Sequence, residues 1–217
     1  SGLTIRNGKV TGLTGAGGIF FNGTLTLNNS TISGNTAGGN GGGIYGDGRL
    51  TVNNITFSGN TAGGSCCGIY VSIVSVVNST VSGNTAGTSG GGMLILGTLT
   101  MNSSTVSGNT AGYLGGGMDV RSTLTVNNST ISGNTAGDGG GIDIRGSVLT
   151  AKNTILANNS PVDCVFLSVT SGGHNLSSDS SCGFTAAGDL QNTNPLLGPL
   201  ANNGGPTQTR ALLPGSP

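Results

Sequence analysis

Asn127-Asn128-Ser129-Thr130-Ile131-Ser132-Gly133-Asn134-Thr135-Ala136-Gly137 repeats, almost letter for letter, the run Asn28-Asn29-Ser30-Thr31-Ile32-Ser33-Gly34-Asn35-Thr36-Ala37-Gly38. Variants of it lie between, around Asn60, Asn84 and Asn109. The asparagines of its Gly-Asn pair, Asn35, Asn60, Asn84, Asn109 and Asn134, are spaced 25, 24, 25 and 25 residues apart, and Asn158 follows 24 later in a degenerate copy. A second landmark keeps the same step. The apolar residue after each Gly-rich turn is Ile19, Ile44, Ile69, Met93, Met118 and Ile142. Two independent columns with one period mark an internal repeat, and a period of this length means stacked structural units.

Working outward from one copy, each unit carries three short alternating runs, such as Met118-Asp119-Val120, Leu124-Thr125-Val126 and Thr130-Ile131-Ser132. Alternation of period two between Gly and Asn reads as strands. A single rung of three strands cannot bury its own inward side chains, whereas rungs about 4.8 Å apart pair their backbones and close a common core. The expected fold is therefore all-β, a right-handed parallel β-helix of 24–25 residues per rung. Residues 1–160 make the repeats, about eight rungs at this period, and 161–217 form an irregular capping tail. The inward columns are Ile44/Ile69/Met93/Met118/Ile142, Leu25/Leu50/Val74/Leu99/Leu124, Leu27/Val52/Val76/Met101/Val126 and Ile32/Phe57/Val81/Val106/Ile131. Gly34, Gly59, Gly83, Gly108 and Gly133 fall where corners need a positive φ. Asn35, Asn60, Asn84, Asn109 and Asn134 are expected to stack their amides as a structural ladder.

Composition narrows the rest. Of 217 residues 44 are Gly, Glu is absent, and seven Asp balance seven Lys and Arg. Zero net charge without basic clusters excludes nucleic acid as a partner. Mean hydropathy is +0.09, and no apolar run reaches the roughly 18 residues of a spanning helix. Gly does not recur every third residue, which excludes collagen. The opening Ser1-Gly2-Leu3-Thr4-Ile5 has no basic or apolar leader pattern and reads as already inside a strand.

Gly43-Ile44, Gly117-Met118 and Gly141-Ile142, each at the end of a Gly triplet, and Phe57-Ser58-Gly59-Asn60 resemble the GGA(I/L/V) and FxxN elements of the polymorphic outer membrane protein repeats of bacterial surface proteins. Most copies place Ile or Val where that family has Phe. The tail, with Gly173-His174-Asn175-Leu176, Ser181-Cys182-Gly183-Phe184, Asn194-Pro195-Leu196 and Asn203-Gly204-Gly205-Pro206, is similar to the C-terminal part of large bacterial β-helix proteins with variable anchors. The resemblance implies secretion and an adhesive or scaffolding role at the cell surface, with no catalytic residue. The partners expected are copies of the chain or neighbouring modules, and glycans.

Cys164 and Cys182, 18 residues apart in the tail, are expected to form a disulfide suited to an oxidising compartment. Cys66 and Cys67 stand where sister rungs carry Gly-Gly. They admit a vicinal disulfide, free thiols or a cross-link to another chain. Their spacing is wrong for zinc, and no metal or other cofactor is expected.

Asp119 and Asp143 occupy one position in successive rungs, with Arg121 and Arg145 two residues on. Close carboxylate pairs are what polysaccharide lyases and hydrolases use, and these enzymes are the competing functional class on this fold. The plainer reading is a surface checkerboard of ion pairs. Phe20, Tyr45, Tyr70 and Leu94 continue the same column, so this face, Tyr45 and Tyr70 with Asp119, Asp143, Arg121 and Arg145, is expected either to stack on a glycan or to pack against a neighbour. Thr24/Thr26, Thr98/Thr100 and Thr123/Thr125 suggest an outward threonine array like that of ice-binding solenoids, broken at Thr51-Val52-Asn53 and Ser72–Ser75. Asn-x-Ser/Thr matches come with the repeat and mark glycosylation only if the host route performs it. His174 has no nucleophile in view, so no triad is expected.

Overall fold

The computed structural model describes residues 2–13 and 15–217, with the side chain of Ser147 outside that description. Ser1, expected from the sequence to open a strand, also lies outside it. The chain is a right-handed parallel β-helix of about 7 turns, without helix among the described residues. Every column read from the repeat pairs with its counterpart one rung away. Ile69 faces Ile44, Met93 faces Ile69, and Met118 faces Met93. In the third strand of the rung Phe57 faces Ile32, and Ile131 faces Val106.

The core is that set of columns made continuous. Ile44, Leu50, Val52, Phe57, Met93, Leu99, Val106, Leu124 and Ile131 are all buried. A further inward column, Val71/Ile95/Val120/Ile144, completes it. Its N-terminal member is Phe21, whose ring lies over Gly46: a Cβ on that glycine would stand 2.1 Å from it. Size is thus exchanged between adjacent rungs so that packing stays close.

Five successive rungs also have a fourth, two-residue strand absent from the three-run pattern. Lys9–Val10, Thr36–Ala37, Thr61–Ala62, Thr85–Ala86 and Thr110–Ala111 pair in parallel. Small alanines suit the narrow corner here, and Ala37, Ala62, Ala86 and Ala111 are buried.

The stack runs on beyond residue 160. Cys164–Ser171 pairs with Ile142–Lys152, with a shift of register between Ile144 and Val148, and Leu176–Ser177 pairs with Ile155–Ala157. Cys164 therefore takes the place of Ile142 in the inner column, and its disulfide to Cys182, together with Phe184, closes the end of the core. The remaining chain turns back along the flank as an antiparallel hairpin, Leu197–Ala201 with Thr209–Leu212. Thr80 donates its hydroxyl to the Gln208 carbonyl, Thr207 donates to that of Asn78, and Arg210 Nε donates to Ser107 Oγ.

Candidate functional site

Three polar assemblies and one aromatic column are the places where side chains other than the core are organised. The first is the asparagine ladder. Each amide N–H2 donates to the Oδ1 of the next rung, Asn35 to Asn60, Asn60 to Asn84, Asn84 to Asn109 and Asn109 to Asn134, at 2.9–3.0 Å. The same oxygens accept the backbone N–H of the preceding asparagine. The sixth member is Asn159 and not Asn158, because Asn158, at φ 59°, occupies the corner that Gly133 fills one rung earlier. Sequence spacing misplaced the ladder by one residue there, since Asn tolerates the left-handed corner almost as Gly does.

A second ladder went unread in the sequence. Ser79, Ser104 and Ser129 each accept the backbone N–H of the rung before and donate to the carbonyl two residues earlier in their own rung. Its signal was the Ser of the repeated Asn-Asn-Ser-Thr. The asparagine ladder ends on an aspartate of the tail. Asp163 Oδ1 accepts from Asn159 N and Nδ2, and its Oδ2 from Ser178 N and Oγ. One rung further along the serine column, Asn175 Oδ1 accepts from Thr154 N, and its own N and Nδ2 donate to Asp189 Oδ1. Burial raises the Asp163 pKa above the ordinary carboxylate value despite the Asn159 and Ser178 donors. At Asp189 burial acts in the same upward direction, but donors from Ser171, Asn175 and Ala186 outweigh it and hold the carboxyl low.

The third assembly corrects the expected surface checkerboard. Asp119 and Asp143 face each other in adjacent rungs and point away from the core, yet only 2% and 1% of their side chains are exposed. The glycine turn of each rung lies against this column, so close that a Cβ on Gly139 would sit 3.0 Å from Asp143 Cβ. Arg121 and Arg145 close the remaining side, Arg121 Nη2 at 2.6 Å from Asp119 and Arg145 Nε at 3.0 Å from both oxygens of Asp143. Arg145 also reaches Asp138. Burial lifts the Asp119 carboxyl to about 6, and the Arg121 charge beside it limits the rise. The guanidinium groups are half exposed, so each pair is a covered carboxylate beneath a solvated lid.

The same column is aromatic at its N-terminal end. Phe20, Tyr45 and Tyr70 stack with centroids 5.7 and 4.8 Å apart and planes within 24°. The ring faces are turned on one another, which corrects the expectation of a glycan-stacking platform, since a sugar needs a free face. Only Phe20 keeps one, at 63% exposure.

Cys66 and Cys67 are free thiols with no exposed surface. A vicinal disulfide is not formed, and burial places both out of reach of another chain. Cys66, at φ 44°, holds the left-handed slot that Gly41, Gly90, Gly115 and Gly139 hold elsewhere. Burial pushes its thiol pKa up to about 12 and also raises that of Cys67.

The threonine array is more regular than the sequence reading allowed. Although the flanking column is interrupted by Arg49 and Ile73, Thr26, Thr51, Ser75, Thr100, Thr125, Thr150 and Thr170 are in direct register.

All seven aspartates have intramolecular partners, the last two being Asp47, which accepts from Ser72, and Asp179, which accepts from Ser181 and Asp163 N. Among the described residues no three His, Cys or Asp side chains gather as a metal site, and no helix is long and apolar enough to cross a membrane. No family model, curated protein or solved structure matches the chain. The likeness to polymorphic outer membrane protein repeats thus stands on the repeat residues alone.

Proposed function

We propose that the chain is a non-catalytic structural or adhesive β-helix module of the cell surface or extracellular space, working in a larger array of copies or adjacent modules. The observation that carries this reading is that the organised polar side chains, the asparagine and serine ladders, are spent on holding one rung to the next. At the C-terminal end Phe184 and the disulfide close the core, and Asp163 terminates the asparagine ladder. At the other end Leu3, Leu13 and Phe20 are exposed at 49%, 82% and 63%. Exposed apolar side chains grouped in this way favour contact with another molecule. The disulfide supports an oxidising location.

The test is sedimentation with electron microscopy of the wild type and of the double variant Leu13→Lys, Phe20→Lys. Association of the wild type and its loss in the variant are expected. A monodisperse 21.0 kDa wild type at every concentration would defeat the array reading.

A further inference from the structure

Where the C-terminal hairpin lies against the flank, its connecting loop stands off the solenoid and leaves two adjoining cavities. One, of about 210 Å³, is lined by Asn29, Ser30, Thr31, Asn54, Thr56 and Pro206. The other, of about 270 Å³, adds Asn202, Gly205, Thr207 and Gln208 and shares Thr56 and Pro206 with the first. They therefore meet along the line between those two residues, and together they are in the size range of small-molecule sites, roughly 300–1,000 Å³.

The chemistry of the lining is unusual in its uniformity. It contains no charged and no aromatic side chain, only amides, hydroxyls and one proline ring. Without a cation it offers nothing to a phosphate or a uronic acid, and without a carboxylate nothing to an amine. The solenoid backbone on this flank is committed to its parallel ladder, so an added peptide strand has no edge to pair with. Amides and hydroxyls both donate and accept, which matches a ligand whose hydroxyls do the same. Asn54 Nδ2 donates to Asn29 Oδ1, so the two amides are held side by side on this flank.

We propose that this groove between the solenoid flank and the C-terminal strap binds an uncharged saccharide, with Thr56 at its centre and Pro206 dividing two sugar positions. The strap is then part of a binding site that the repeats alone do not make. The proposal is tested separately from self-association, because neither Leu13 nor Phe20, the residues substituted there, lines the groove.

Calorimetric titration of the intact chain with cellohexaose, chitohexaose and maltohexaose, and with pentagalacturonate as the charged comparison, tests it. Saturable binding of at least one neutral hexaose is expected, with no binding of the galacturonate. Thr56→Val keeps a β-branched residue on the strand and removes one hydroxyl, so it weakens that binding by about tenfold, the worth of one hydrogen bond. Asn202→Ala, on the exposed loop and outside the ladder, weakens it in the same sense and covers the case in which Thr56→Val melts early. Absence of saturable binding by all three neutral sugars, equal binding of pentagalacturonate, or binding unchanged in both variants would overturn the proposal.

Discussion

Asn60 Nδ2 donates to Asn84 Oδ1 at 2.9 Å, and the same oxygen accepts Asn60 N at 3.0 Å, so one amide of the following rung satisfies two donors of the rung before. Asn84 in turn donates to Asn109 Oδ1 and to the Phe57 carbonyl. This is how a corner without side-chain bulk stays buried: the backbone groups that the turn takes out of the sheet ladder are paired with side chains instead. It also makes the ladder directional, with each rung dependent on its C-terminal neighbour.

Asn84→Ala therefore removes four hydrogen bonds at once, those that Asn84 Oδ1 accepts from Asn60 N and Nδ2 and those that its Nδ2 donates to Asn109 Oδ1 and the Phe57 carbonyl. A loss of about 2–4 kcal/mol is expected, read by chemical denaturation. Asn84→Asp keeps the acceptor but sets it against Asn109 Oδ1, which protonation relieves. That variant should be more stable at pH 4 than at pH 8, and an opposite order would contradict the donor-to-acceptor direction of the ladder from Asn60 through Asn84 to Asn109.

The pH dependence of the native chain has a sign of its own. Asp119 titrates at about 6 in the folded state against an ordinary 3.8, because burial outweighs Arg121. A raised carboxylate pKa means that the folded state holds the proton more tightly, so stability falls as pH rises from about 4 to about 6 and is level above that. Burial moves Asp163 in the same direction. Asp189, held low by its donors, acts oppositely, adding stability that is lost only below its usual range. Melting temperature should decline between pH 4 and pH 6.5, and Asp119→Asn should flatten that decline, at most about 2–3 kcal/mol. A wild type that gains stability across this window would refute the assignment.

The thiols give a third expectation. Cys66 titrates at about 12 and Cys67 well above the usual thiol value, both because of burial. Alkylation at pH 8 should leave both unmodified in the native chain and label both in denaturant, a rate difference of at least about a hundredfold. Mass spectrometry after a timed iodoacetamide pulse measures it.

The columns of the core were legible because a solenoid turns sequence period directly into spatial neighbourhood. Ile44 must meet Ile69 whatever the corners do. The assembly at Asp119 was not legible for the complementary reason. Position parity says that a side chain points outward, but a glycine turn folded over the column buries what points outward, and Arg121 seals it. Asn158 and Asn159 show a second limit: where two residues tolerate the same corner, spacing alone does not choose between them. The groove at Thr56 depends on where a non-repeating hairpin lands, and Arg210 meeting Ser107 across 103 residues has no periodic trace.

At the C-terminal end the ladder meets Asp163, and its removal should show whether the stack unzips from there. The two oxygens of Asp163 receive four hydrogen bonds, two from Asn159 and two from Ser178. In Asp163→Asn one oxygen becomes an amide that must face either Asn159 Nδ2 or Ser178 N, donor against donor. One end of the junction then loses its partners while the disulfide Cys164–Cys182 remains. Because rungs contact only their neighbours, the damage should stay local. Hydrogen exchange is expected to accelerate at Ile155–Ala157 and Leu176–Ser177, by about tenfold or more for each lost bond worth about 1.4 kcal/mol, while Ile44–Ser58 keeps its protection. Uniform acceleration along all rungs would instead mean that the stack opens as one cooperative unit and that Asp163 is not its terminal clasp.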